Sequence, residues 1–137
     1  MKLIRRGSAV IALVSVVWLW PDLATAQGSS APRYEPLVRG WEQFFRVTWE
    51  PFERWGRPSL GGYIVNDGGL TAMRARLLVE ALDPSGNVVK QTVQWVGSPI
   101  PPGARVYFEV PVPQSAPAYR VSVFAFDWLQ TASLEAP

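Results

Sequence analysis

The chain has 137 residues, with 13 Lys+Arg against 11 Asp+Glu, and contains neither histidine nor cysteine. Those two absences exclude Ser-His-Asp and Cys-His catalysis, the ordinary zinc sites and any disulfide framework. The positive balance sits largely in the first segment, so it is no nucleic-acid footprint, and no basic tract points to such a partner.

MKLIRR is a short basic start, SAVIALVSVVWLW (8–20) is apolar or small, and Pro21 breaks the run before Ala24-Thr25-Ala26. That order predicts a secretory signal peptide over residues 1–26, cleaved near Ala26. The run is shorter than the roughly 20 apolar residues a membrane span needs. The processed chain is therefore expected not to span a membrane, with an uncleaved anchor as the alternative. The expected location is periplasmic or extracellular, in a bacterium. Residues 27–137 keep ten basic and ten acidic residues. They suffice for one domain with its own core.

Residues 27–40, QGSSAPRYEPLVRG, are polar with two prolines and read as a linker or N-terminal arm. Residues 41–137 read as the folded domain. FFRVTWEPF (44–52) alternates, with Phe45, Val47 and Trp49 on one side, the mark of a half-buried strand. Pro51 suits an edge or a strand end, and ERWGRPS reads as a loop. GGYIVNDGGL (61–70) reads as a short strand, then a tight turn at Asn66–Gly69 built on residues that tolerate positive φ. TAMRARLLVEAL (71–82) reads as a strand with Leu77, Val79 and Ala81 on one face; a helix over 72–81 is the alternative. VVKQTVQWV (88–96) groups Val89, Val93 and Trp95. ARVYFEVPV (104–112) sets Val106, Phe108, Val110 and Val112 against Arg105, Tyr107 and Glu109. YRVSVFAFDW (119–128) has Tyr119, Val121 and Val123 on one side and Phe124, Phe126 and Trp128 on the other. Such a strand is either central or changes phase at a bulge. Short alternating strands with frequent turn signals predict an all-β, immunoglobulin-like antiparallel sandwich of about six to seven strands.

Gly62-Tyr63-Ile64-Val65-Asn66-Asp67-Gly68, then Leu82-Asp83-Pro84-Ser85-Gly86-Asn87-Val88, then Pro102-Gly103 and Phe108-Glu109-Val110 form a series. It resembles the FxLYD-type immunoglobulin-like domains of bacterial envelope proteins, over about residues 60–125. The resemblance implies a sandwich serving as an adhesion, assembly or scaffold module, and it supplies no catalytic residues.

EALDPSGNVV (80–89) spaces Asp83, Ser85 and Asn87 two apart, as in a calcium loop. An EF-type loop then requires Gly at position 6 and Glu at position 12. Counted from Asp83 those positions hold Val88 and Gln94, so the stretch is expected to be a hairpin turn without metal. The acids Glu50, Glu53, Asp67, Glu80, Asp83, Glu109 and Asp127 are scattered, and a non-enzymatic protein without cofactors is expected. Trp49 and Trp95 are assigned to inward faces. Trp41, Trp55 and Trp128 fall near strand ends or loops and, with Arg54, Arg57, Tyr34 and Tyr107, form the candidate interaction surface, because Trp, Tyr and Arg anchor interfaces. The expected partner is an envelope protein, with a glycan as the alternative. Arg74, Arg76 and Arg105 are expected to share a solvent face.

Overall fold

The structure is a computed structural model that describes residues 33–130. The signal-peptide expectation falls outside them, as do residues 27–32 and 131–137. Six strands run in chain order: β1 (Phe45–Arg54), β2 (Arg57–Asn66), β3 (Ala72–Leu82), β4 (Val88–Trp95), β5 (Arg105–Pro111) and β6 (Ala118–Trp128). They form two antiparallel sheets, β1-β2-β5 and β4-β3-β6. This is the expected immunoglobulin-like sandwich, with the order of strands A-B-E against C′-C-F. Among the described residues no helix is long and apolar enough to cross a membrane.

The core lies between the sheets. Phe45 from β1, Leu60 and Ile64 from β2, and Phe108 and Val110 from β5 meet Leu77, Val79, Val121 and Val123 from the other sheet. Each large side chain so buried contributes roughly 1.5–3 kcal/mol. Residues 71–82 form a strand because their odd positions fill this core while the backbone pairs on both sides, with β4 and with β6. Pro51 lies on β1, an edge strand, where a missing donor leaves no ladder bond unmade.

Four local expectations are corrected. Pairing of β1 with β2 continues to Arg54↔Arg57, so only Trp55 and Gly56 remain of the expected ERWGRPS loop. The segment Asn66–Gly69 is no tight hairpin turn, since β2 and β3 lie in different sheets and none of the four residues has a positive φ. On β4 the apolar residues Val89, Val93 and Trp95 face outward. The register pairs Trp95 with Arg76 and Val93 with Leu78, while Leu77 and Val79 of β3 take the inward positions. Arg74 and Arg76 lie on β3, whereas Arg105 lies on β5 in the other sheet, so the three share no face.

The phase change in β6 is a bulge on an edge strand. Arg76 pairs with Ala125 but Leu77 pairs with Val123, which leaves Phe124 as the extra residue. A second shift lies between Met73 and Arg76, where Arg74 has φ 49°. The two irregularities turn Val121 and Val123, and then Phe126 and Trp128, toward the same core.

Asn66 ties the sheets together at one end. Its Nδ2 donates to the carbonyls of Leu70 and Ile100, both at 2.7 Å, and its Oδ1 accepts from Gly68 N at 2.8 Å. Its backbone N–H donates to Ala104 O, and its carbonyl accepts from Gly103 N. Ile100 in turn exchanges two backbone bonds with Ala72 of the opposite sheet. Beside this hub Phe44, Phe45, Phe126 and Trp128 pack edge-on and stacked. A Cβ on Gly68 would come within 2.9 Å of the Trp128 ring. Replacing Asn66 by Ala strands buried donors and acceptors, and is expected to lower the unfolding free energy by about 2–4 kcal/mol. Urea denaturation measures this; a loss below about 0.5 kcal/mol, the range of neutral surface changes, contradicts the hub role.

Candidate functional site

The β1–β2 hairpin ends in a two-residue loop, Trp55 at φ 52° and Gly56 at φ 71°. Two successive positive φ values match the mirror-image turn that suits the twist of paired strands, and that turn favours Asn or Gly at its first position. Gly56 fits. Trp55 does not, because a bulky side chain at positive φ crowds its own backbone. The ring is nonetheless 88% exposed, with Arg54 and Arg57 at the ends of the flanking strands.

The outer face of β1-β2-β5 continues from this tip. Tyr63 and Tyr107 sit directly opposite one another on β2 and β5, with ring centroids 5.3 Å apart. The Arg105 guanidinium lies 4.2 Å from the Tyr63 ring centroid. Tyr107 Oη donates to Glu109 Oε1 at 3.1 Å, and Glu109 Oε2 pairs with Arg54. Arg54 and Tyr107 thus join through one carboxylate. Between Tyr107 and Phe52, Gly61 has no side chain; a Cβ there would lie 2.7 Å from Tyr107 Oη and 3.2 Å from the Phe52 ring. The result is a shallow groove of about 380 Å³, lined among others by Thr48, Glu50, Phe52, Gly61, Tyr63 and Tyr107.

No family model, no curated protein and no solved structure matches the chain.

Of the seven residues of the expected interaction surface, Trp55, Arg54, Arg57 and Tyr107 lie on one sheet and its hairpin tip. Trp41 and Trp128 do not join them. Trp41 opens a single 3-10 turn and packs, half-buried, against the core. Trp128 stacks on Phe45 at 5.8 Å in the aromatic end of the sandwich. Tyr34 lies across the other sheet: its backbone N–H donates to Gln91 Oε1, its carbonyl accepts from Gln91 Nε2, and its ring meets Phe124 edge-on. Trp95, assigned to the core from sequence, is 62% exposed. Sequence reasoning missed Phe52, Gly61 and Tyr63. Alternation places Tyr63 and Tyr107 outward, but only the pairing of β2 with β5 brings them together.

Asp83 organises the β3–β4 turn. Its Oδ1 accepts from the backbone N–H of Ser85 (2.9 Å) and Asn87 (2.8 Å), its Oδ2 from Asn87 Nδ2, and Gly86 takes φ 83°. The carboxylate is directed at the loop's own donors. Among the described residues no group of three or more His, Cys, Asp or Glu is placed to hold a metal ion. Those donors, led by the Asn87 N–H, hold the Asp83 carboxyl below its usual range. A hydrogen bond from Arg46 does the same for Asp67. A carboxyl whose folded pKa is depressed stabilises the fold fully above its unfolded pKa of about 4 and loses that contribution as pH falls through the lower folded value. Asp83→Asn is therefore expected to be less stable than the unaltered chain at pH 7, the gap closing as pH falls below about 4. Thermal unfolding across that range measures it, and a gap that does not change with pH contradicts this assignment.

Proposed function

We propose that the chain is an exported, non-enzymatic β-sandwich module that acts by contact with a protein partner in the cell envelope. Export and compartment rest on the pattern of residues 1–26. Kinship with FxLYD-type domains belongs to the same reading and rests on the turn and core motifs over residues 60–125. The observation that carries the contact is Trp55, 88% exposed on a turn whose backbone disfavours it. A residue held at positive φ against its preference costs about 1–3 kcal/mol, and burial against a partner is what a large exposed ring offers in return. Arg54 and Arg57 beside it, and Tyr107 along the face, supply the other residue types that dominate interfaces.

A second reading is a carbohydrate-binding module, favoured by the groove. Tyr63, Tyr107 and Phe52 give aromatic walls, and Thr48 and Glu50 add hydroxyl and carboxylate partners for sugar hydroxyls.

One substitution separates stability from recognition. Trp55→Asn places the residue the turn favours, and is expected to raise stability by about 1 kcal/mol. The same variant is expected to bind the envelope partner at least about tenfold more weakly, a loss near 1.4 kcal/mol. Crosslinking pull-down from envelope extract, run beside a polysaccharide array, reads both possibilities. Undiminished capture by Trp55→Asn contradicts the proposal. Polysaccharide binding that Tyr107→Ala abolishes and Trp55→Asn leaves intact establishes the second reading in its place.

A further inference from the structure

The outer face of β4-β3-β6, on the opposite side of the sandwich from the Trp55 face, carries Arg74, Arg76 and Arg120. Two of them are answered by carboxylates. Arg74 Nε donates to Asp127 Oδ2 at 2.7 Å. Arg120 donates through Nε and Nη2 to both oxygens of Glu80, at 3.0 Å each. Arg76 is different: its Nε is buried with no hydrogen-bond partner. Among the described residues no carboxylate pairs with it.

The fold builds a frame around this cation. Register sets Arg76 directly opposite Trp95 on β4 and Ala125 on β6. The β6 bulge pushes Phe124 outward beside it. The guanidinium carbon lies 5.0 Å from the Trp95 ring centroid and 5.4 Å from that of Phe124. Phe124 is itself backed by the edge of Tyr34, with centroids 6.0 Å apart. One step along the sheet, Leu78 and Val93 are paired and apolar.

We propose that this niche binds a carboxylate borne by a peptide, with the neighbouring apolar group of that peptide lying on Trp95 and Val93. Arg74 and Arg120 are each paired with a carboxylate and Arg76 is not, so the open place in this arrangement is that of an anion. With Nε buried, the two Nη groups of the planar guanidinium are the parallel donors left for a carboxylate. The flanking rings hold it in place and take it partly out of water, so an incoming anion meets a preorganised cation. The site is independent of the contact proposed for Trp55.

The carboxylate has two possible sources, a chain terminus or an acidic side chain, and small probes tell them apart. The full chain, labelled with ¹⁵N, is titrated with N-acetyl-Leu-Leu bearing a free terminus and with its C-terminal amide. A second pair is N-acetyl-Leu-Glu-amide and N-acetyl-Leu-Gln-amide. One or both acids are expected to shift the Trp95 indole and Arg76 Nε–H resonances, assigned with Trp95→Phe and Arg76→Lys, while the uncharged analogues do not. Whichever acid acts identifies the source. Arg76→Gln is expected to weaken that binding by at least about tenfold, and Arg76→Lys by less, since it keeps the charge and loses the fork. Equal shifts by acid and amide, no shift with either acid, or unchanged binding in Arg76→Gln overturns the proposal.

Discussion

Asn66 sits where the chain leaves one sheet for the other, and the sandwich depends on it. Both of its side-chain donor hydrogens and its carbonyl oxygen are used, and its partners belong to the crossover after β2 and to Ile100, the residue bridged to β3. A buried amide satisfied in this way gains little net energy per bond, but leaving its partners unmet is expensive. Its role is to fix geometry. It sets how β2 meets the segment leading into β5, and hence which residues of β2 and β5 stand side by side on the outer face. The Tyr63–Tyr107 pair and the groove above Gly61 follow from that alignment.

The other sheet is shaped by irregularity. Two register shifts between β3 and β6 let the inward sets of β6 change from odd to even positions without losing contact with the core. The same shift turns Phe124 outward. Without it Arg76 would lack one wall of its frame, and Tyr34 would lose the ring it meets. Glu80, only 5% exposed, is held beneath this face by Arg120 and Gln91, and Gln91 also binds the backbone at Tyr34. The Arg120 side of this pair is largely exposed, so it adds little to stability; Gln91, held by Glu80, is what fastens the segment around residue 34 to the sheet.

Much of this was legible in the sequence. The inward faces of β1, β3 and β5 could be read directly because period-two alternation is a local signal. The doubled apolar character at the end of β6 left a central strand or a bulge open, and a bulge on an edge strand is what forms. Three features were hidden for one reason, that each depends on a partner distant in the chain. Val89, Val93 and Trp95 alternate correctly, but alternation does not say which side is the core; pairing with Arg76 and Leu78 does. Asn66 has the composition of a turn former, and only Ile100 makes it a hub. Trp41 and Trp128 lie near strand ends as expected, yet the packing of the two sheets takes both rings into the closure of the sandwich.

Trp55 is where local chemistry and tertiary structure disagree. The turn asks for Asn or Gly, and the chain supplies a tryptophan that touches no core. Such local conflicts are expected at functional sites. The most direct test places the photo-crosslinker benzoylphenylalanine at position 55 in the producing cell, with positions 41 and 128 as packed controls. A partner contact at Trp55 gives one discrete protein adduct from position 55 and none from 41 or 128. No adduct from 55, or the same adducts from all three positions, would contradict it.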